Sequence, residues 1–483
     1  MLILRSIIRM YILRMRMPPG PMPLPFVGNF PIFMKTKLML HELCQQLSQK
    51  YGDPVTIFFA TSPFLVLTKY DIAKDTLQQT TFSNRMESAA MDAMFDGSTN
   101  LSFSPYNSSY MILRKTASRS LRTMIDADSL SQQVAWATSY TIEEMSKVKP
   151  AVVPKMYLRN TIYNIVLAFA FGKTYKIDDP DFNRLLRASE EGNKSFGMTF
   201  ALDFLPFARH LPLKYLPPVK ASMAATRVFR EYGFQQIAEH RKTYKQGVIR
   251  DLTDALINEQ IQLANENTGE NVSDVDVTGI INDFYTAGTE TSSIACSWFI
   301  LFMVLNPEIQ EECYKVIHEV IGDRQVRLSD RSKLAFIEAC ILETLRLRSP
   351  VSMGIPRSPM SDTYINGHFI PKGTFTLWNV YAMHTDPEYW PNPLQFDPRT
   401  NFLDEAGQIR KAPSFMAFGT GRRVCVGEQL AKNFLFLTVA NLLQKIKWVR
   451  VPDYEYTIDP DPSIGFALTA QSYPVIMEPR KDA

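Results

Sequence analysis

Cysteine is scarce in this chain, with five among 483 residues. Cys44, Cys296, Cys313, Cys340 and Cys425 are an odd number, lie far apart and form no CxxC pair. That excludes a disulfide framework and a structural zinc site, and it fits a reducing compartment. A surplus of charge is also missing. The 52 basic and 49 acidic residues are spread along the chain and leave a formal net charge of +3, so there is no electrostatic ground for a nucleic-acid partner. No internal repeat or low-complexity tract occurs, and 46% hydrophobic against 21% charged residues excludes a disordered or fibrous chain. Residues 1–17, MLILRSIIRMYILRMRM, carry Arg5, Arg9, Arg14 and Arg16 and so fall short of the ~20 apolar residues that span a bilayer.

What is present begins with that segment. At about 100° per residue Arg5, Arg9 and Arg16 share one face while Leu2, Ile3, Ile12 and Leu13 lie elsewhere. This suits a short cationic helix on an anionic membrane surface, with a targeting segment or an incomplete start as the other reading. Residues 18–29, with Pro18, Pro19, Pro21, Pro23 and Pro25, form a stiff spacer. Periodic apolar patterns predict helices at 38–50, 71–80, 109–124, 130–146, 221–245, 277–305, 306–321, 333–348 and 428–445. VTIFFA and FLVLT flank a turn at Thr61, Ser62 and Pro63, and a second strand region runs from Gly367 to Tyr381. The expected class is mainly α with a small β-rich lobe.

The chemistry is concentrated in FGTGRRVCVGE, 418–428, where Phe418, Gly421, Arg423, Cys425 and Gly427 stand at fixed offsets before a helix. At ~5% usage per residue type, five such matches arise by chance in about one chain of this length in ten thousand. A thiolate placed just before a helix is stabilised by backbone N–H groups and the positive end of the helix dipole, and flanking glycines permit close approach of a flat ligand. Cys425 is therefore expected to stay ionised. A buried hydrophobic cysteine beside a Gly-rich turn is the plain alternative. Upstream, Phe284, Ala287, Gly288 and Thr291 recur at i, i+3, i+4 and i+7, and AGTETS spans 287–292. Small residues on one helix face serve helix packing equally well, with Thr291 bonding back to its own carbonyls. Glu343 and Arg346 can pair at i and i+3, and Tyr110 and Arg114 share a face at i and i+4.

The 418–428 segment resembles the haem-binding signature of the cytochrome P-450 family, and the match runs from PPGPxxLPxxGN at Pro18 to Asn29 through the C-terminal motifs. Motif order and spacing look most like the microsomal, class II branch, and NGHFIPKGT, HTDPEYWPNP and FLDEAG are similar to animal xenobiotic- and steroid-metabolising members. The resemblance implies a haem-thiolate monooxygenase with haem b on Cys425. A thiolate ligand of this kind favours O–O cleavage. Propionate partners would be Arg114, Arg357 and Arg423, with the Tyr110 hydroxyl where the family usually has a tryptophan. Phe418, Gly421, Gly427 and Ala287 would border the macrocycle. Glu290 and Thr291 would form the acid–alcohol pair that relays protons. Glu343 and Arg346 would be a buried scaffold, its third member either Arg399 or Asn401. NADPH would supply electrons through a flavoprotein reductase docked on a proximal stripe of Lys115, Arg119 and Arg122 near Arg422 and Lys432. Phe103, Phe196, Phe200, Phe284, Ala287, Val351, Ile355 and Phe466 would line an apolar substrate pocket, which implies a steroid, a fatty acid or a xenobiotic. The resemblance also implies attachment to the endoplasmic reticulum with the catalytic domain facing the cytosol. A haem-thiolate isomerase or dehydratase needing no electrons, and a non-catalytic haem-binding protein, are the rival functions. Since Arg114, Thr291, Arg357 and Cys425 must meet at one cofactor, residues 30–483 are expected to form a single catalytic domain.

Overall fold

The computed structural model describes residues 2–95, 99–124, 128–202, 212–266, 271–462 and 467–480. Twelve helices of twelve residues or more appear among them: α1 (Leu2–Arg16), α2 (Leu40–Tyr51), α3 (Ser108–Met124), α4 (Asp128–Ser146), α5 (Pro154–Phe171), α6 (Pro180–Leu202), α7 (Pro217–Thr243), α8 (Leu252–Asn265), α9 (Asp274–Leu305), α10 (Pro307–Ile321), α11 (Ala335–Leu347) and α12 (Glu428–Lys445). The nine helical patterns read from the sequence are all present, the one at 71–80 as the shorter helix Tyr70–Gln78. Helices α5, α6 and α8 were not expected. In α5 the reason is clear: fourteen of its eighteen residues are buried, from Leu158 to Phe171 almost without interruption, so no polar face marks the period.

The 32-residue α9 is the axis of the fold. A Ser273–Asp276 capping box starts it, and it packs on α5, α7 and α12. It is also the one helix among the described residues long and apolar enough to cross a membrane, but most of that stretch lies inside the protein. This makes it a core helix. The largest hydrophobic cluster joins α3, α4, α5, α7, α9, α11 and α12 into one body.

Strands are few. β1 (Val55–Phe59) and β2 (Ser62–Leu67) form an antiparallel hairpin, and β5 (Phe375–Trp378) adds to β2 in parallel; β3 (Thr363–Ile365) pairs with β4 (His368–Ile370), and β6 (Ile446–Val449) with β7 (Ile476–Pro479). The hairpin turn is tighter than expected. Ser62 and Pro63 belong to β2, opposite Phe59 and Phe58, and the turn is made at Ala60 and Thr61 with Ala60 at φ 52°. Proline is tolerated there because the β5 ladder begins only at Phe64, leaving no neighbour to want its missing N–H.

Candidate active site

Residues 418–427 form a loop that ends on α12. The Cys425 N–H donates to the Phe418 carbonyl at 3.0 Å, closing the loop on itself. Cys425 is exposed and lines a cavity of about 250 Å³. Phe284, Ala287, Gly288 and Thr291 of α9 line the same cavity, so the helix face read from the sequence and the cysteine loop share one space. Phe418 and Gly427 line it as well. Gly421 does not. Its φ is +70°, and a Cβ there would stand 2.3 Å from the Leu77 carbonyl oxygen, so its lack of a side chain serves loop packing rather than approach to a ligand.

One electrostatic expectation is overturned. Burial pushes the Cys425 thiol above its ordinary value, and the Gly427 N–H and the Arg114 guanidinium draw it down without prevailing. A single amide near the sulfur does not offset enclosure by protein. A metal held by Cys425 would ionise the thiol outright.

Four arginines crowd one side of this site, and none has a carboxylate among its partners in the described residues. Arg114 donates to the Val424 carbonyl at 2.7 Å and to the Tyr110 hydroxyl at 3.4 Å. Arg423 donates to the carbonyls of Ser83 and Ser104, and its guanidinium lies 3.6 Å from the ring centroid of the buried Tyr110. Arg85, which the sequence reading did not single out, donates to the carbonyls of Ser102, Ile355 and Pro356. Arg357 is placed differently from the expectation. It is fully buried, spends both terminal nitrogens on the carbonyls of Leu77 and Thr420, and lies 5.0 Å from the ring of Trp378. Trp378, not Arg357, lines the cavity.

Burial, followed by the charge of Arg423, depresses Arg357 to about 9. Burial likewise brings Arg423 to about 10 and Arg85 well below its usual range. Uncompensated cations at an apolar cavity call for anions. A group carrying two carboxylates and an iron fits these walls: Cys425 would hold the iron, and Arg85, Arg114 and Arg423 would meet the carboxylates. This is the chemistry of haem b.

On α9, the Thr291 hydroxyl donates to the Ala287 carbonyl at 2.6 Å and faces the cavity. Glu290 does not join it. Its charged neighbours are Arg159 and Lys155 of α5 and Glu190 of α6, burial raises its carboxyl, and it is not part of the cavity wall. One residue along a helix is a turn of about 100°, which is enough to send Glu290 away from Thr291. A second carboxyl that the sequence reading missed does line the cavity. Asp283 accepts from the Leu101 N–H and from the Ser102 hydroxyl, and burial pushes it up to about 6 against those bonds.

Among the expected substrate contacts, Phe284, Ala287, Val351 and Ile355 line the cavity. Phe103 lines a smaller neighbouring space of about 170 Å³ that shares Arg85, and its ring is 5.6 Å from Phe196. The side chain of Phe200 and all of Phe466 lie outside the described residues.

Glu343 and Arg346 are completely buried and bonded through both oxygens and two nitrogens at 2.7 and 2.8 Å. Arg346 also donates to the carbonyls of His384, Pro393 and Gln395. The third member is Asn401, whose amide donates to Glu343 Oε1 at 3.0 Å beside the Asp397 N–H. Arg399 instead pairs with Glu312 at the surface. On α3, Lys115, Arg119 and Arg122 are exposed, and Arg119 pairs with Glu259 at 3.6 Å. Arg422 is exposed, while Lys432 is half-buried and pairs with Glu428 at 2.7 Å.

Comparison with known proteins agrees with this geometry. A family profile described as Cytochrome P450 matches residues 18–477. Cytochrome P450 1A1 of Rattus norvegicus is 32% identical over 472 residues, covering 94% of this chain and 88% of its own length. The protein of the same name from Canis lupus familiaris is 32% identical over 475 residues, with the same coverage. A zebra fish cytochrome P450 solved with progesterone superposes with a TM-score of 0.80 at 26% identity, covering 92% of this chain and 100% of that one.

Proposed function

The chain belongs to the cytochrome P450 family, and on that premise we propose that it takes electrons from NADPH through a flavoprotein reductase and oxygenates a steroid, a fatty acid or a xenobiotic. It is a haem b monooxygenase acting on lipophilic molecules. Bound through Cys425, the haem supplies the activation of dioxygen. The observation that carries the reading is that Cys425 and the Ala287, Gly288 and Thr291 face of α9 open on one apolar cavity edged by cations.

The chain's own residues then have separable tasks. Arg114 and Arg423, held by Tyr110, bind the haem carboxylates, and Arg85 adds positive potential at the same edge. Arg357 acts through Trp378, which it holds against the cavity. Ala287 and Gly288 leave space for a diatomic ligand, and the Thr291 hydroxyl holds a proton donor beside that space. Glu290 faces the cations Arg159 and Lys155 rather than the cavity. Phe284, Val351 and Ile355 exclude water from the substrate, with Phe103 and Phe196 on its approach, and Asp283 offers the one carboxylate in the wall to a substrate hydroxyl or amine. Phe200 and Phe466 remain pocket candidates on family resemblance alone. The exposed face of Lys115, Arg119, Arg122 and Arg422, with Lys432 at its border, suits an acidic electron donor. The chain works at the endoplasmic reticulum with residues 30–483 in the cytosol.

The test is NADPH consumption by the haem-loaded protein with added reductase. We expect consumption to rise with a lipophilic ligand, and Thr291→Ala to raise peroxide release per NADPH by several-fold. No turnover with any steroid, fatty acid or xenobiotic would contradict the function, and unchanged coupling in the variant would contradict the role of Thr291.

A further inference from the structure

The five tryptophans of this chain differ in what their indole N–H meets. Trp298 donates to the Leu468 carbonyl at 2.7 Å and Trp390 to that of Met383 at 3.1 Å, while Trp136 is exposed. Trp378 and Trp448 are buried, at 5% and 1% exposure, and their Nε1 atoms have no acceptor among the described residues. A buried donor without a partner is costly enough to call for an explanation. Trp448, in β6, belongs to the main hydrophobic cluster and is not part of the wall of the Cys425 cavity. Trp378, the last residue of β5, is part of that wall.

The indole of Trp378 is held from several sides. Gly354 has a φ of +60°, and a Cβ there would stand 2.1 to 2.5 Å from Cε2, Cζ2 and Cδ2 of the ring, so the lack of a side chain at 354 is what lets the indole sit against the cavity. A Cβ at Gly419 would lie 3.9 Å from Cζ2. The Arg357 guanidinium lies 5.0 Å from the ring centroid, and its terminal nitrogens are taken by the Leu77 and Thr420 carbonyls. The charges of Arg423 and Arg114 reach Arg357, so Trp378 stands on the cationic side of the cavity. On that side the wall holds an indole N–H and not the guanidinium of Arg357.

We propose that Trp378 is a haem-binding residue whose indole N–H donates to a haem carboxylate, with Arg357 as the positioning residue that holds the ring. The inference rests on haem b being held at Cys425, as in the proposed function. A carboxylate oxygen is the acceptor that the orphaned N–H lacks, and it is an anion that the neighbouring arginines attract to the same side. Trp448 is orphaned in the same way but stands away from the cavity, so it provides the control.

The experiment follows the transfer of haem from the haem-loaded full chain to excess apomyoglobin. Trp378→Phe keeps an apolar ring and removes the N–H. It should lose haem roughly ten- to a hundredfold faster than wild type, the effect of a lost hydrogen bond to a charged group. Trp378→His is smaller, yet its Nε2 takes the place of the indole Nε1 when the five-membered rings superpose, so it should hold haem longer than Trp378→Phe. Packing alone gives the opposite order. Trp448→Phe removes the other orphaned N–H and should leave transfer unchanged. The thiolate-type Soret shift of the wild-type reduced carbon monoxide complex tests haem at Cys425 separately and is expected whichever way transfer goes. Transfer from Trp378→Phe at the wild-type rate, loss from Trp378→His as fast as from Trp378→Phe, or an equal acceleration by Trp448→Phe would each overturn the inference.

Discussion

Cys425 carries the most specific claim that can be made of a single residue. Its loop is closed by the bond to Phe418 and it opens on the cavity, so Cys425→Ala should leave the fold in place and remove the thiolate ligand. We expect the variant to lose the thiolate-type Soret shift of the reduced carbon monoxide complex, and an unchanged spectrum would disprove the assignment. Tyr110 shows how a departure from the family pattern is accommodated. Its ring supports Arg423 at 3.6 Å and its hydroxyl accepts from Arg114, so one phenol steadies two of the cations at the cavity edge. Single residues were also where reading the sequence stopped short. Cys425, Thr291 and Arg423 were legible because their neighbours in sequence form a motif. Asp283 and Arg85 were not, because their partners at Leu101, Ser102 and Ile355 come from loops far away in the chain. The outward direction of Glu290 was available from helical period alone.

Elements hold these residues in place through buried polar contacts. In α11, Glu343 and Arg346 neutralise each other in full burial, and Asn401 supplies a neutral amide where an arginine was one of two expectations. Removing that amide leaves Glu343 Oε1 with one donor fewer in a dry site. Asn401→Ala should therefore cost about 1–3 kcal/mol in urea unfolding of the haem-loaded protein. Arg399→Ala, which breaks a surface pair, should cost within about 1 kcal/mol. Equal losses would show that the position of Asn401 in the network is wrong.

The junction of α7 and α8 provides a pH-dependent contact. His240 donates to the Gln236 carbonyl at 2.7 Å and meets Asp251 at 2.8 Å, with Asp254 held by Arg250 alongside. Burial opposes the charged ring, but the Asp251 hydrogen bond and charge prevail and raise His240 above its ordinary value. A group raised in the folded state gives stability that is complete below the unfolded value near 6.5 and is lost as pH climbs through the folded one. Thermal unfolding of wild type minus His240→Asn should show that difference shrinking as pH rises above neutrality, and a difference that grows would contradict the pairing. At this scale most of the fold was legible. All nine periodic patterns are helices, whereas α5 was hidden by being apolar on every side, and the Pro63 turn by a strand neighbour that only the tertiary fold reveals.

At the scale of the molecule, segments from both ends of the chain enclose one cavity. Arg114 on α3, Thr291 on α9 and Cys425 before α12 border the same 250 Å³, which is why a chain long enough for several domains has a single principal core. Outside the cavity, Lys115, Arg119, Arg122 and Arg422 are exposed on one side of the protein. That enclosure brings the small-residue face of α9, Cys425 and an apolar wall carrying the Asp283 carboxyl to one space.

The account turns on whether an oxygen atom from dioxygen enters the product. The haem-loaded protein, reductase and NADPH, supplied with a lipophilic ligand that induces a spectral shift, should be run under isotopically heavy dioxygen and the product weighed by mass spectrometry. One heavy atom per product molecule, dependent on NADPH, is the result expected of this cavity. A rearranged or dehydrated product formed without NADPH and without label would contradict the monooxygenase account.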